Sequence, residues 1–486
     1  MNLLQNFDTL LQGWRAVFSQ QRIFDRARRL TFGMLISLRS HLTSTAICTG
    51  GRQFVDWSAD YRLCSRSPWN PHQLFDPVFD HFHSLLGSPT APVLAAIDDT
   101  LCKKTGRKIP GVSTARDPQS LKFHLNLCRG LRFQQISLLV APPAAVPGPA
   151  RALPVHFDLA PPVPKPRKDA SPEVWKNYRA EKKKHSLTQA GVQSMAGVRL
   201  SLDARPQTAS RQLIVCGDST YTNRTTMQNL PARTTYIGRI RKDAKLCFPL
   251  PPVSATAPAK GRPRFYGPAA PTPEQFLKDA ALPLVNVSCF AAGQLRDMPV
   301  KVVRHLYWRK AGAQRPLTLV IIKPLGYRLR QGSKVLYREP AFLICTDPDL
   351  DLQLLVQAYI YRWEIECNHR DEKSLLGVAR GQVRNPHAVR RLPQLQVAGY
   401  SLLLLASLLT SGFQRTAEYL PLPKWRNKSA RPSLLDLLAL LRDQIFARGS
   451  AAPPLLNFDD FQTAPTPVGK SSKLPLAPGT LCTLAA

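Results

Sequence analysis

A chain of 486 residues is long enough to bury a sizeable core and to hold roughly two to four structural units. Its 66 Lys and Arg against 32 Asp and Glu leave +34 at pH 7, a surplus that points to a polyanionic partner, because neutralising phosphates releases condensed counterions. Two classes lose ground at once: the longest apolar run, "LQVAGYSLLLLASLL" (395–409), is shorter than the roughly 20 residues of a membrane span, and ten scattered cysteines without a CxxC pair exclude the common zinc fingers and fit a reduced cytosol.

In chain order, "MNLLQNFDTLLQGWRAVFSQQ" lacks the basic start, unbroken apolar centre and small-residue cleavage site of a signal peptide. Its Leu3, Leu4, Phe7, Leu10, Leu11, Trp14, Val17 and Phe18 recur at helical spacing, so an amphipathic helix is expected. Residues 1–88 read as helical and basic; "RIFDRARRLTFGMLISLRSH" (22–41) suits either a DNA-binding headpiece or a helical bundle with a solvated basic face.

From residue 89 strand-length apolar runs begin: "APVLAAIDD", "RFQQISLLVA", "LPVHFDLA", "RQLIVCGD" and "TTYIGRIR". Between them lies "SPEVWKNYRAEKKKHSLTQAGV", with Ser171 as N-cap and Pro172 as first helical residue. The alternation is that of an α/β domain on a mixed sheet. Proline-rich stretches at "APPAAVPGPARALP", "APPVPKPRKDASP" and "FPLPPVSATAPAKGRPRFYGPAAPTPEQ" read as surface loops or linkers. Residues 245–346 return to strands in "MPVKVVRHLYWRK", "PLTLVIIKP" and "PAFLICTD" and are expected to form a β-rich insertion. Residues 381–447 are helical again, with the run at 395–409 as a core helix and Ser433 capping "RPSLLDLLALLRDQIFAR"; the tail 451–486 is expected to be disordered.

Among the acids, Asp99 and Asp218 stand out, because each sits where an apolar strand meets its carboxyl end, the place where open α/β sheets collect ligands. The alternative is a turn or cap residue. Asp98 beside Asp99 leaves open which of the two is used, since neighbouring strand residues face opposite sides. The stretch "YIYRWEIECNHRDEKSLLG" (359–377) is the other concentration of charge. On a single helix, Tyr359, Arg362, Trp363, Glu366, His369, Arg370, Lys373 and Gly377 share a sector of about 120°, with Glu366 the only acid among them; Glu364, Asp371 and Glu372 are expected on a solvated face. The plain alternative is an ion-paired helix, Glu366 lying four residues from both Arg362 and Arg370.

The spacing Tyr359-x2-Arg362-x3-Glu366-x6-Lys373 resembles the Y-R-E-K signature of a large group of bacterial insertion-sequence transposases, the DDE type with an RNase H-like fold. "IDDT" (97–100) resembles the family's first-Asp motif, with the Asp directly before Thr implied, hence Asp99; "VCGDSTYTNRTTMQNL" resembles the second-Asp region and implies Asp218. "YIGRIRKDAKL", "GRPRFYG" and "LICTDPDLDLQLLVQAYIYRW" also look like family segments, and the resemblance runs over about residues 20–410. The doubled Asp98-Asp99 and the proline-rich inserts depart from the pattern.

The resemblance implies an RNase H-like catalytic domain split as 89–244 and 347–410 around the insertion. Asp99, Asp218 and Glu366 would be its catalytic and metal-binding carboxylates, holding two Mg²⁺ ions, with Mn²⁺ able to substitute. Arg362 and Lys373 would hold phosphates, Tyr359 would contact the DNA end, and His369 and Arg370 would support phosphate contacts. Trp308, the insertion's one Trp, is either a core residue or, as in some relatives, the ring on which a flipped base stacks. The implied partners are the double-stranded terminal repeats and target DNA, held by a homodimer in the bacterial cytoplasm near the nucleoid. "KPRKDASPEVWKNYRAEKKKH", with eight basic residues and three acids, is either a track for a DNA backbone or a solvated face. The competing functions are a DNA-binding derivative that has lost its chemistry and a stand-alone nuclease of the same fold.

Overall fold

The computed structural model describes residues 1–38, 42–117, 120–121, 123–124, 126–143, 147–251, 265–311, 315–328, 332–425 and 431–446; the tail expected to be disordered lies outside the described residues, as does most of the longest proline-rich stretch. Helix α1 (Leu3–Gln12) opens with a capping box in which the Asn2 side chain accepts from the Gln5 amide and the Gln5 side chain from the Asn2 amide. Its Leu3, Leu4, Phe7, Leu10 and Leu11 are buried, as their periodicity predicts. Next come α2 (Gln21–Ile36), α3 (Thr43–Thr49), α4 (Ser58–Ser65) and α5 (Asp76–His81). The basic run on α2 is only partly a solvated face: Arg26 and Arg29 converge on buried Asp60, and Arg28 on buried Asp8. These arginines stitch the helices together, because a buried carboxylate needs a charged partner.

Among the described residues the central sheet has ten strands. β1 (Val93–Lys103), β2 (Ser113–Arg116), β3 (Leu127–Val140) and β4 (Arg151–Leu159) come first. Helices α6 (Pro172–Lys184), α7 (Leu187–Asp203) and α8 (Pro206–Ala209) lead to β5 (Leu213–Gly217); α9 (Arg224–Gln228) then leads to β6 (Thr234–Arg239). β3 pairs antiparallel with β1, β2 and β4, while β5 and β6 run parallel to β1, giving the core order β4-β3-β1-β5-β6. Ser171 and Pro172 open α6 as expected, the Ser171 hydroxyl accepting from the Val174 amide. Pro154 lies in β4, which tolerates it beside a register shift opposite Ile136 and Ser137.

The insertion continues this sheet. After α10 (Pro273–Lys278), β7 (Val285–Ala291), β8 (Gln294–Leu306) and β9 (Leu317–Ile322) form an antiparallel meander, followed by a small hairpin of β10 (Gly326–Tyr327) and β11 (Leu336–Tyr337). β12 (Ala341–Cys345) then pairs antiparallel with both β9 and β6. The order therefore runs on as β6-β12-β9-β8-β7, so residues 245–346 extend the central sheet at the edge that β6 would otherwise expose.

α11 (Leu352–Tyr361) and α12 (Glu364–Ser374) cover one face of the sheet, where Val356 and Ala358 meet Ile214, Cys216 and Ile237, and Ile365 meets Ala96 and Leu139. α7 covers the other, packing against β3 and β4, with Met195 and Val198 in the same buried cluster as Val93 and Ile97. α13 (Pro386–Ser411) contains the long apolar run; it is long and apolar enough to cross a membrane, yet 94% of its apolar window is buried in the protein. α1, α2, α4 and α5 pack round it, so the N-terminal helices share one core with the sheet instead of standing apart. α14 (Leu434–Phe446), whose first turn is held by Ser433 and Asp436, closes the same cluster. Among the described residues, Cys64, Cys102, Cys128, Cys216, Cys247, Cys289, Cys345 and Cys367 are free thiols.

At the crossing of α13 and α2, a Cβ on Gly399 would stand 2.5 Å from Thr31 Cγ2, and the Thr31 hydroxyl is tied to the Ala27 carbonyl. Gly399→Ala is expected to destabilise the fold by about 1–2 kcal/mol despite alanine's better helix propensity, and Thr31→Ser, which removes only the obstructing methyl, to restore most of it. Denaturant unfolding of the two single variants and the double variant checks this.

Candidate active site

Asp98 and Asp99 do not end their strand. β1 runs on to Lys103 against β3, but its parallel ladder with β5 stops at Ile97 opposite Gly217. Asp218 follows directly, so the two acids of β1 and the acid after β5 meet at a notch where one side of the ladder has ended. Gly217 is needed beside it, because a Cβ there would lie 2.2 Å from the Tyr236 hydroxyl oxygen. Asp218 is held in an Asx-type turn, its carboxylate accepting from the Thr220 amide at 2.8 Å and hydroxyl at 3.0 Å.

Strand alternation separates the two β1 acids. Leu94 and Ala96 face α11 and α12, and Asp98 continues that side; Val93, Ala95 and Ile97 face the α7 side, and Asp99 continues that one. Asp98 Oδ2 lies 3.7 Å from Arg362 Nη1, whose other terminal nitrogen is 3.0 Å from Glu366 Oε1. Asp99 Oδ2 lies 3.5 Å from Arg132 Nε, with the buried Tyr221 hydroxyl beside it. Burial, together with the nearby Asp218 carboxylate, pushes Asp98 up to about 7. Asp99 is also raised by burial, against the pull of Arg132.

Glu366 does not lie on one uninterrupted helix with Tyr359. α11 ends at Tyr361 and α12 begins at Glu364, the junction being wound tightly by bonds from Trp363 N to Ile360 O, Ile365 N to Arg362 O and Glu366 N to Trp363 O. Tyr359 keeps its place next to Arg362, whose guanidinium lies 5.6 Å from the ring centroid. Lys373 is half-buried, acts on Asp99, and has no acid partner among the described residues.

The rest of the helical sector changes character. His369 is buried, and burial with Lys373 and Arg362 nearby drives it down to about 3, so it is a neutral interior group and not a phosphate contact. Arg370 is exposed and pairs with its neighbour Asp371, and Trp308 is half-buried against the main core; no contact among the described residues ties either to the carboxylates. The three acids expected on a solvated face are not there. Glu364 pairs with Arg431 at 2.6 Å, and Asp371 and Glu372 are buried beneath α13 and β3. Helical periodicity alone could not reveal this, because α12 is covered on more than one side.

The sequence also leaves Arg132, Gln134 and Tyr221 unmarked. Gln134 stands opposite Asp99 in the β1–β3 register and donates to the Tyr221 hydroxyl at 3.1 Å; its carbonyl accepts from Ser194 at 2.7 Å. A tyrosine three residues after Asp218 was the only visible hint.

The donors are hard carboxylate oxygens, suited to a divalent cation, and the like-charge pressure of Asp218 on Asp98 is of the kind such an ion relieves. Among the described residues no three His, Cys, Asp or Glu converge on one point, the guanidinium of Arg362 standing between Asp98 and Glu366. Asp98 and Asp218 thus offer donors of the kind a divalent ion takes, while Arg362 keeps Glu366 apart from Asp98.

The core order of three antiparallel strands followed by two parallel ones, with helices on both faces, is RNase H-like, and acids from β1 and the end of β5 meet at its notch. The family model described as DDE superfamily endonuclease matches residues 56–315, more than half of the chain, and the chain belongs to that family. Endonuclease-type chemistry on phosphodiesters with divalent metals is the general activity this membership carries. Among curated proteins, none matches the chain.

Glu372 has a consequence for stability. Gln135 lies beside it without closing a hydrogen bond onto either oxygen, and burial raises it from 4.5 to about 8. Between those values the folded chain keeps a proton that the unfolded chain releases, so stability falls as pH rises through that window. Glu372→Gln is expected to flatten this fall and to be more stable than wild type near pH 8; unfolding at about pH 5 and about pH 8 checks it.

Proposed function

We propose that the chain is a DNA transposase of the insertion-sequence type, cutting at the ends of its element and joining them to target DNA. The observation that carries this reading is the Arg362 bridge: it draws Glu366 of α12 to Asp98 of β1, beside Asp218, with Tyr359 and Lys373 at the signature's spacing on the same helices. Asp98, Asp218 and Glu366 are the proposed metal-holding carboxylates. Asp99, the residue that the motif resemblance singles out, is tied to Arg132 and Tyr221, and its role is to keep the strand end in place.

Asp98, Asp218 and Glu366 would hold two Mg²⁺ or Mn²⁺ ions, whose chemistry there would be activation of an attacking water or 3′-hydroxyl and stabilisation of the leaving oxygen. The chain's own residues bind and orient the DNA. Arg362, released from Asp98 and Glu366, presents a planar fork to a phosphate, and Lys373 adds a point charge at the same edge. Tyr359, packed under Arg362, sets the position of that fork. Two ends must be held for joining, which calls for a homodimer on DNA, and the work belongs where the DNA is, in the bacterial cytoplasm.

Cleavage of a labelled duplex carrying the element's own end, at matched DNA binding, tests the assignment. Asp98→Asn, Asp218→Asn and Glu366→Gln are each expected to lower the rate by about a hundredfold or more, the scale of several kcal/mol of lost charge stabilisation. Asp99→Asn is expected to cost less. Full activity in Asp98→Asn with loss in Asp99→Asn would reverse the assignment of the two acids. Tight binding without cleavage by the wild type would favour a DNA-binding derivative, and cleavage without joining of a pre-cut end a nuclease.

A further inference from the structure

α6 is a helix without a place in the fold. None of its residues is buried, and among the described residues it makes no substantial packing contact with another helix or strand. Thirteen residues form a marginal helix in water, and a helix that covers no core gains little from tertiary packing. Its own internal supports are slight: the Ser171 cap, an exposed Glu181–His185 pair at 3.1 Å, and lysines in the last turn that complement the dipole.

Its charge is one-sided. From Lys165 to His185 there are eight Lys and Arg and three acids. Trp175 and Tyr178 meet edge to face at 5.7 Å, and Lys165 and Lys182 lie 5.9 and 5.8 Å from their ring centroids, so the two rings hold cations in set positions on an exposed helix.

Its location connects it to the site. Ser186 caps α7 immediately after α6, and the Leu187 carbonyl accepts from Gln134 Nε2, which also donates to the Tyr221 hydroxyl next to Asp99. Lys184 is three residues before Leu187, within about 11 Å of it along the chain. The basic end of α6 is thereby anchored near the rim of the carboxylate notch.

We infer that α6 lies along the phosphodiester backbone of the double-stranded DNA leading into the site, with Lys182, Lys183 and Lys184 among its phosphate contacts, and that this contact stabilises the helix. The inference rests on the reading of the chain as a DNA-processing enzyme and adds the element that carries the duplex. Contacts of this kind are blind to sequence and strongly dependent on salt.

The test is equilibrium binding of the full chain to duplex DNA across a series of salt concentrations, with hydrogen exchange of residues 172–184 in the free and bound chain. Combined Lys182→Gln, Lys183→Gln and Lys184→Gln is expected to weaken binding at least tenfold and to reduce the log–log salt slope by about 2 to 3. Glu181→Gln is expected to tighten binding, and the α6 amides to gain protection on DNA. Since α6 buries nothing, the triple variant should unfold with the wild type. An unchanged salt slope, or α6 amides as fast in the complex as in the free chain, would overturn the inference while leaving DNA cleavage intact. Failure of the wild type to bind duplex DNA, or a preference for duplex RNA, would overturn it together with the reading beneath it.

Discussion

Gathering carboxylates in a half-buried notch is unfavourable, and the site depends on how that cost is offset. Burial and mutual repulsion raise Asp98 to about 7, while Arg362 and Arg132 partner the two β1 acids on the opposite faces where strand alternation puts them. Arg362 is the decisive partner, because it reaches across to Glu366 and so couples the α11–α12 junction to the sheet. The tight winding between those helices places Arg362 where its guanidinium meets both acids. A guanidinium and a metal ion satisfy carboxylates in different ways, and under the proposed function one would replace the other, so that no bare charge is left in the interior.

The scaffold behind this notch is one continuous core. α13 is surrounded by the N-terminal helices and packs along β4, and the strands of residues 245–346 extend the sheet beyond β6. Part of the chain's positive charge is spent inside this body, in Arg26 and Arg29 with Asp60, Arg28 with Asp8, and Arg431 with Glu364. The cations of α6 have no such partners in the core, which is why the charge surplus takes on functional meaning there and not on α2.

Much of the architecture was legible residue by residue. The runs "APVLAAIDD", "RQLIVCGD", "PLTLVIIKP" and "PAFLICTD" all lie on strands of the central sheet, Ser171 and Ser433 hold helix starts, and the apolar run at 395–409 is a core helix. Strand 2, which reads STAR, carried too little apolar content to be noticed, and strand 7, which reads VNVSCFA, was passed over because Asn286 and Ser288 interrupt its apolar run. The β-rich character of residues 245–346 was legible too, but its place was not: strand-length runs say that a segment is β, while the partner of its last strand, β6, is chosen by pairing over a separation of about a hundred residues.

The sequence by itself determined most of the central strands, the caps, the charge surplus and the spacing of Tyr359, Arg362, Glu366 and Lys373, because each of these follows from local periodicity or from residue type. Only the tertiary structure decided which of Asp98 and Asp99 faces Glu366, that Asp371 and Glu372 are buried, and that α6 is bare. These outcomes depend on which face of a strand or helix another element comes to cover, a question of desolvation and packing between segments far apart in the chain.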